Sequence, residues 1–177
     1  QHLLEGRPYV VQQGETLEQI AQQYKVPWQL LARINGVRDP QRPQPGQELK
    51  VVRGPFTAVI DLNKHELTMM LKGRYAGRFP IGVGADHRSL EGTYVVRDKT
   101  VNPNYYGPDR VEIDADDPNN PLGELWIGLE DQIGIHGTND PGRIGRTGGR
   151  GSICLGDQDL EDVFGILSIG SRVVIRR

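Results

Sequence analysis

The chain has 177 residues, enough for one large or two small domains, each able to bury a core. A formal net charge of −2, with charged residues at 25%, gives no electrostatic reason to expect nucleic acid or an anionic membrane surface as partner. With 23 glycines, 12 prolines and one cysteine, it reads as a turn-rich, β-rich fold without an internal disulfide. No stretch approaches the length of a membrane-spanning helix, and the opening Gln1 is expected to begin either a processed or a trimmed form.

Residues 8–52 predict one small β-α-α-β unit. Tyr9-Val10-Val11 is a short strand and Gly14-Glu15 a turn. Thr16-Leu17-Glu18-Gln19 has the Thr-x-x-Gln form of a capping box, and Leu17, Ile20, Ala21 and Tyr24 then fall on one helix face. Pro27 suits the first turn of a second helix, which carries Leu30, Leu31 and Ile34 inward and stops at Asn35-Gly36. Pro45-Gly46 turns the chain into a closing strand from Glu48 to Val52.

The string YVVQQGETLEQIAQQYKVPWQLLARINGV with its PGQELKV close resembles a LysM repeat from end to end. That resemblance implies binding of N-acetylglucosamine-containing glycans, peptidoglycan or chitin, in a groove between the Gly14–Leu17 and Ile34–Gly36 loops. Gly14, Thr16, Leu17 and Asn35 are then the candidate glycan contacts. Their other reading is local: Gly14 supplies the turn, and Thr16 and Asn35 supply caps.

Arg53-Gly54-Pro55 is too short a connector to separate two domains widely, so a second domain is expected over residues 55–177. Thr57–Leu62 and Glu66–Leu71 flank Asn63-Lys64-His65 as a β-hairpin. His65 in that turn is expected to be exposed and idle. Lys72-Gly73-Arg74 makes another turn, and a third strand begins in Gly77–Gly84. Further strands are expected at Thr93–Val96, Leu125–Leu129, Ile133–Ile135 and Arg172–Ile175. One late helix presents Leu160, Val163, Phe164 and Leu167. The expected class is α+β: a small LysM-like unit, then a mainly β sandwich or open barrel with a helix at one end. The acidic, Pro/Asn-rich run Gly107–Glu124 reads as a lid or insertion beside the site. It lacks the glycine and distal Glu of a calcium loop. No His/Cys cluster supports zinc and no Gly-rich loop after a strand supports a phosphate cradle, so neither metal nor cofactor is expected.

Function is to be sought in Ile135-His136-Gly137-Thr138 and Gly151-Ser152-Ile153-Cys154-Leu155. A His leaving a strand, with a nucleophile-type residue in a Gly-rich loop, can pair base with nucleophile, although one His beside one Ser or Cys also arises by chance. The segments FTAVIDLNKHELTMMLKGRYAGRFPIGVG, NPLGELWIGL and IHGTNDPGRIG are similar to the L,D-transpeptidase (YkuD-type) catalytic domain, over roughly residues 56–177. The resemblance implies a Cys-His pair that attacks a peptidoglycan stem tetrapeptide, forms a thioester and passes the acyl group to an amine on a neighbouring stem. A carbapenem response, secretion, and a place in the periplasm or cell wall follow from the same likeness.

The family pattern around the nucleophile is (Ser/Thr)-x-Gly-Cys-(Ile/Val)-Arg. Laid on it without gaps, this sequence puts Ser152 at the catalytic Cys, Cys154 at the Arg and Gly149 at the Ser or Thr. A gapped register instead brings Cys154 to the nucleophile position. Residues two apart on an extended segment point the same way, so both can face the cleft. Three readings stay open: a Ser152 enzyme, a Cys154 enzyme with displaced geometry, or a protein that only binds the wall. In an active protein, His136 is general base then acid, the Gly151–Ile153 backbone N–H groups are oxyanion donors, and Gly137, Arg143, Arg146 and Arg150 are substrate contacts. For each arginine alone, a solvated surface position is the competing reading. Hydrolysis in place of aminolysis would make it an L,D-carboxypeptidase.

Overall fold

Strand β1 (Tyr9–Val10) leads into a turn at Gly14, whose φ of 82° is a left-handed conformation that glycine takes without strain. In the computed structural model, which describes residues 3–177, Thr16 and Gln19 then form the expected capping box. The Thr16 hydroxyl accepts the Gln19 N–H at 3.2 Å, and the Gln19 side chain accepts the Thr16 N–H at 2.9 Å. Helix α1 (Leu17–Tyr24) follows, burying Leu17, Ile20 and Ala21. Helix α2 (Trp28–Asn35) has Pro27 as its N-cap, one position before the first turn, and ends on a left-handed Gly36. β2 (Glu48–Leu49) pairs antiparallel with β1. The closing strand is shorter than expected because Val51 and Val52 leave the ladder and bury themselves in the core.

Five strands build the first sheet of the larger unit. They are β3 (Phe56–Asp61), β4 (Glu66–Leu71), β5 (Arg74–Pro80), β7 (Gly92–Val95) and β14 (Arg172–Arg176), in the order β5-β4-β3-β14-β7. The second sheet runs β6-β13-β12-β11-β8. Its members are β6 (Gly82–Val83), β8 (Asp98–Val101), β11 (Leu125–Glu130), β12 (Ile133–His136) and β13 (Ile153–Cys154). Neither sheet closes on itself, in keeping with the expected sandwich or open-barrel class. A small hairpin, β9 (Tyr105–Tyr106) with β10 (Glu112–Ile113), lies within the acidic insertion. Helix α3 (Asp157–Ile166) buries Leu160 and Val163, and Leu167 is buried just past its end.

Period-two burial explains the packing. β3 and β4 alternate buried and half-buried residues along their length, aiming Ala58, Ile60, Leu67 and Met69 at Ile127, Leu129, Ile135 and Ile153 of the other sheet's apolar set. The same buried cluster continues into Val11, Leu17, Leu31 and Leu49 of the small unit. Across the join, Gly54 N–H donates to Tyr24 O at 2.8 Å and the Arg53 guanidinium lies 4.6 Å from the centre of the Tyr24 ring. Arg33 pairs with Asp162 between α2 and α3.

Candidate active site

Strand register lays out the site. β12 pairs antiparallel with β11 and parallel with β13, and β13 pairs antiparallel with β6. Trp126, His136, Cys154 and Gly82 therefore form one row across the sheet, while Ile127, Ile135, Ile153 and Val83 form the next row on the core face. The Trp126 indole stacks on the His136 imidazole, with centroids 6.0 Å apart and planes inclined by 13°. Gly134 makes room for this, since a Cβ there would meet the indole ring at 2.6 Å.

The protons of His136 can be placed from its partners. Ser152 N–H donates to Nε2 at 3.0 Å, so Nε2 is the acceptor; Nδ1 lies 2.6 Å from the Gly137 carbonyl and must carry the hydrogen. The ring is fully buried. Burial pushes its pKa down to about 4, against a smaller upward pull from the Gly137 carbonyl, so the imidazole is neutral at neutral pH. Above it sits Gly151, with φ 88°. A Cβ on Gly151 would collide with Nε2 itself. The missing side chain thus forms the thinnest cover between imidazole and cleft.

The two candidate nucleophiles do not behave alike. Ser152 touches His136 through its backbone N–H, while its hydroxyl donates to Gln132 O at 3.1 Å and accepts from Gly134 N–H at 3.3 Å. The hydroxyl is therefore satisfied away from the ring. Cys154 is fully buried, and its Sγ packs where a Cβ on Gly82 would stand, beside the Arg143 carbonyl. Burial raises the thiol pKa, only partly offset by the Arg143 charge, which is the environment of an inert cysteine. No hydrogen bond joins Cys154 to His136 among the described residues.

A cleft of about 410 Å³ opens over this spot, with Gly151, Asp86, His87, Tyr105, Trp126 and Gln132 in its lining. The insertion between β8 and β11 supplies one wall through Tyr105, Tyr106 and Pro108. Asn120, nearly buried, anchors that insertion by donating to Pro103 O and Asp114 O and accepting from Leu122 N–H. Gly137 lies beneath the insertion's base, where a Cβ would meet Leu122 O at 2.9 Å, so it acts on His136 and does not line the cleft. Arg143 is half-buried and donates to Gly148 O at 3.0 Å. Arg146 and Arg150 are exposed, and the Arg150 guanidinium lies 5.6 Å from the centre of the Tyr105 ring at the cleft edge. His65 is half-buried, not idle: its ring bonds the Thr147 hydroxyl at 3.0 Å and ties the first hairpin to the glycine-rich loop. His87 borders the cleft and bonds Gln132 O at 2.9 Å.

In the small unit, Gly14 is the turn and Thr16 the cap. Leu17 is fully buried, and its N–H donates to Pro40 O at 2.9 Å. Asn35 exchanges hydrogen bonds with Lys50 and donates to Leu31 O, stitching α2 to the closing segment. Sequence reasoning missed Asp86, Tyr105, Trp126 and Gln132 at the cleft. Trp126 lies in an expected strand and in the family-like segment NPLGELWIGL, but neither feature aims its ring at the cleft, and nothing separates Asp86, Tyr105 and Gln132 from their neighbours in sequence.

The His136 imidazole accepts the Ser152 backbone N–H beneath Gly151, which brings a candidate base and a hydroxyl-bearing residue together beside the cleft. Comparison with known proteins gives the class. The LysM domain profile matches residues 9–52, and that of the L,D-transpeptidase catalytic domain matches residues 55–175. The protein assigned as L,D-transpeptidase YkuD of Bacillus licheniformis is 30% identical, over 94% of this chain and 97% of its own length. The Bacillus subtilis counterpart is 28% identical over 96% and 98%. Among solved structures, L,D-transpeptidase 3 of Mycobacterium tuberculosis in complex with a faropenem-derived adduct superposes with a TM-score of 0.56 at 15% identity. That match covers 75% of this chain and 65% of the other, and carries the fold alone. The chain belongs to the L,D-transpeptidase family and carries a LysM domain ahead of the catalytic domain.

Proposed function

We propose that this protein remodels peptidoglycan in the periplasm or cell wall, its LysM module (8–52) holding glycan strands while the 55–177 domain transfers acyl groups between stem peptides through Ser152. The observation that carries this reading is the 3.0 Å hydrogen bond from the Ser152 backbone N–H to His136 Nε2, which sets Ser152 beside the imidazole beneath Gly151. Attack requires the Ser152 hydroxyl to leave Gln132 O and reach the same nitrogen, whose lone pair the Ser152 N–H holds at rest. Ser152 Oγ then attacks the stem carbonyl carbon and its proton passes to Nε2. The scissile C–N bond breaks, the departing amine takes that proton, and an ester is left on Ser152. An incoming stem amine attacks the ester and gives its proton to His136, which returns it to Ser152 Oγ as the product leaves. The Gly151 N–H is then the oxyanion donor of the Gly151–Ile153 loop, since the Ser152 N–H is held by His136 Nε2.

Incubation with disaccharide-tetrapeptide and mass analysis of the products tests this. Dimers lighter than two substrates by one terminal amino acid are expected, and release of that amino acid without dimers marks an L,D-carboxypeptidase. Absence of both overturns acyl transfer. A second reading, wall binding without turnover, is favoured by the fully satisfied Ser152 hydroxyl; it predicts retention on isolated sacculi with the tetrapeptide untouched.

A further inference from the structure

The loop Gly84–Asp86 is bound to the nucleophile loop at three successive points. Gly84 N–H donates to Ser152 O at 2.5 Å and Ala85 N–H to Gly149 O at 2.8 Å. The third contact reverses direction: Gly151 N–H donates to Asp86 Oδ2 at 2.5 Å. The Tyr105 hydroxyl donates to that same oxygen at 2.8 Å. One oxygen thus receives two converging donors within the cleft that Asp86, Tyr105 and Gly151 line. Such convergence is what an oxyanion position requires. The neighbouring Ser152 N–H is also taken, by His136 Nε2. Both consecutive amides at the nucleophile are therefore capped by side chains of the chain itself.

We propose that Asp86 is a positioning residue that occupies the oxyanion position in the resting protein, so that the acyl donor's carbonyl oxygen must displace its carboxylate before attack. This rests on the acyl-transfer reading of the site. The Asp86 carboxylate keeps the Gly151 amide aimed into the cleft, at the cost of competing with the substrate for it. A carboxylate outbids a neutral carbonyl for an N–H donor because the charge strengthens the hydrogen bond. Emptying the position therefore speeds acylation, by about tenfold for the loss of one charge-assisted competitor.

The test compares wild type, Asp86→Asn and Asp86→Ala. Second-order acylation by imipenem is followed by intact mass, with Ser152→Ala as the blank. The Gly151 amide proton is followed by NMR in the same proteins. The expected order of rates is Ala above Asn above Asp, with the Gly151 proton moving upfield in Asp86→Ala. Wild type fastest, Asn close behind and Ala slowest would mean that Asp86 only braces the loop, and would overturn the proposal while acyl transfer stands. An unmoved Gly151 proton in Asp86→Ala overturns the contact itself. No adduct in any of the three forms, with the Gly151 proton moving as expected, sinks the acyl-transfer reading and the proposal with it.

Discussion

Ser152 and Cys154 stand two positions apart at strand β13, inside the second sheet, and both are fully buried, yet their neighbours differ. Ser152 adjoins the base, whereas Cys154 is sealed behind Gly82 and the Arg143 carbonyl. Replacing Ser152→Cys puts an intrinsically stronger nucleophile beside His136, and acylation by a carbapenem should rise by about a hundredfold; stopped-flow or timed mass measurement reads it. His136 makes a second prediction. Its folded pKa of about 4 lies below the ordinary 6.5, so the unfolded chain binds the extra proton between those values. Stability present above pH 6.5 is therefore lost as pH falls through that window, on the order of 3 kcal/mol for a shift of this size. His136→Gln should flatten that part of a denaturation series against pH. The residue types at 136, 152 and 154 announce the chemistry. Their orientations do not, because the Ser152 hydroxyl is claimed by Gln132 O and Gly134 N–H, two backbone groups whose approach only the folded loop creates.

Secondary elements were legible wherever one periodicity held. α1 follows from its capping box, and the β3–β4 hairpin from alternating burial. β8 was missed because Asp98-Lys99-Thr100 reads as polar loop, although at a sheet edge those side chains are half-buried or exposed. Lys99 has a structural task there. Its ammonium donates to Leu167 O at 2.8 Å and to Phe164 O at 2.5 Å, closing the end of α3. Burial lowers its pKa to about 8 and leaves it charged at neutral pH. Lys99→Met should cost about 1–3 kcal/mol, because those carbonyls lose their donor, and chemical denaturation measures it. β13 was equally hidden, two residues in a glycine-rich run that only the register with β12 and β6 defines. Gly151→Ala would force a Cβ onto His136 Nε2 at a left-handed backbone position; loss of acylation by at least a hundredfold is expected from displacement of the loop.

Across the molecule, one buried cluster joins the LysM unit to the sandwich, reinforced by the Arg33–Asp162 pair and the packed Arg53–Pro55 connector. Sequence spacing predicted a short connector, but not that the core would run through it, since which apolar faces meet depends on the folded arrangement of α2 and α3. A continuous core unfolds as one unit, so calorimetry should show a single transition; two separated transitions would contradict the shared core. The account as a whole turns on which residue carries the acyl group. Intact-mass analysis after incubation with a carbapenem, on wild type, Ser152→Ala and Cys154→Ala, decides it. The predicted result is an adduct on wild type and Cys154→Ala that disappears in Ser152→Ala. An adduct that survives in Ser152→Ala and is lost in Cys154→Ala would contradict it.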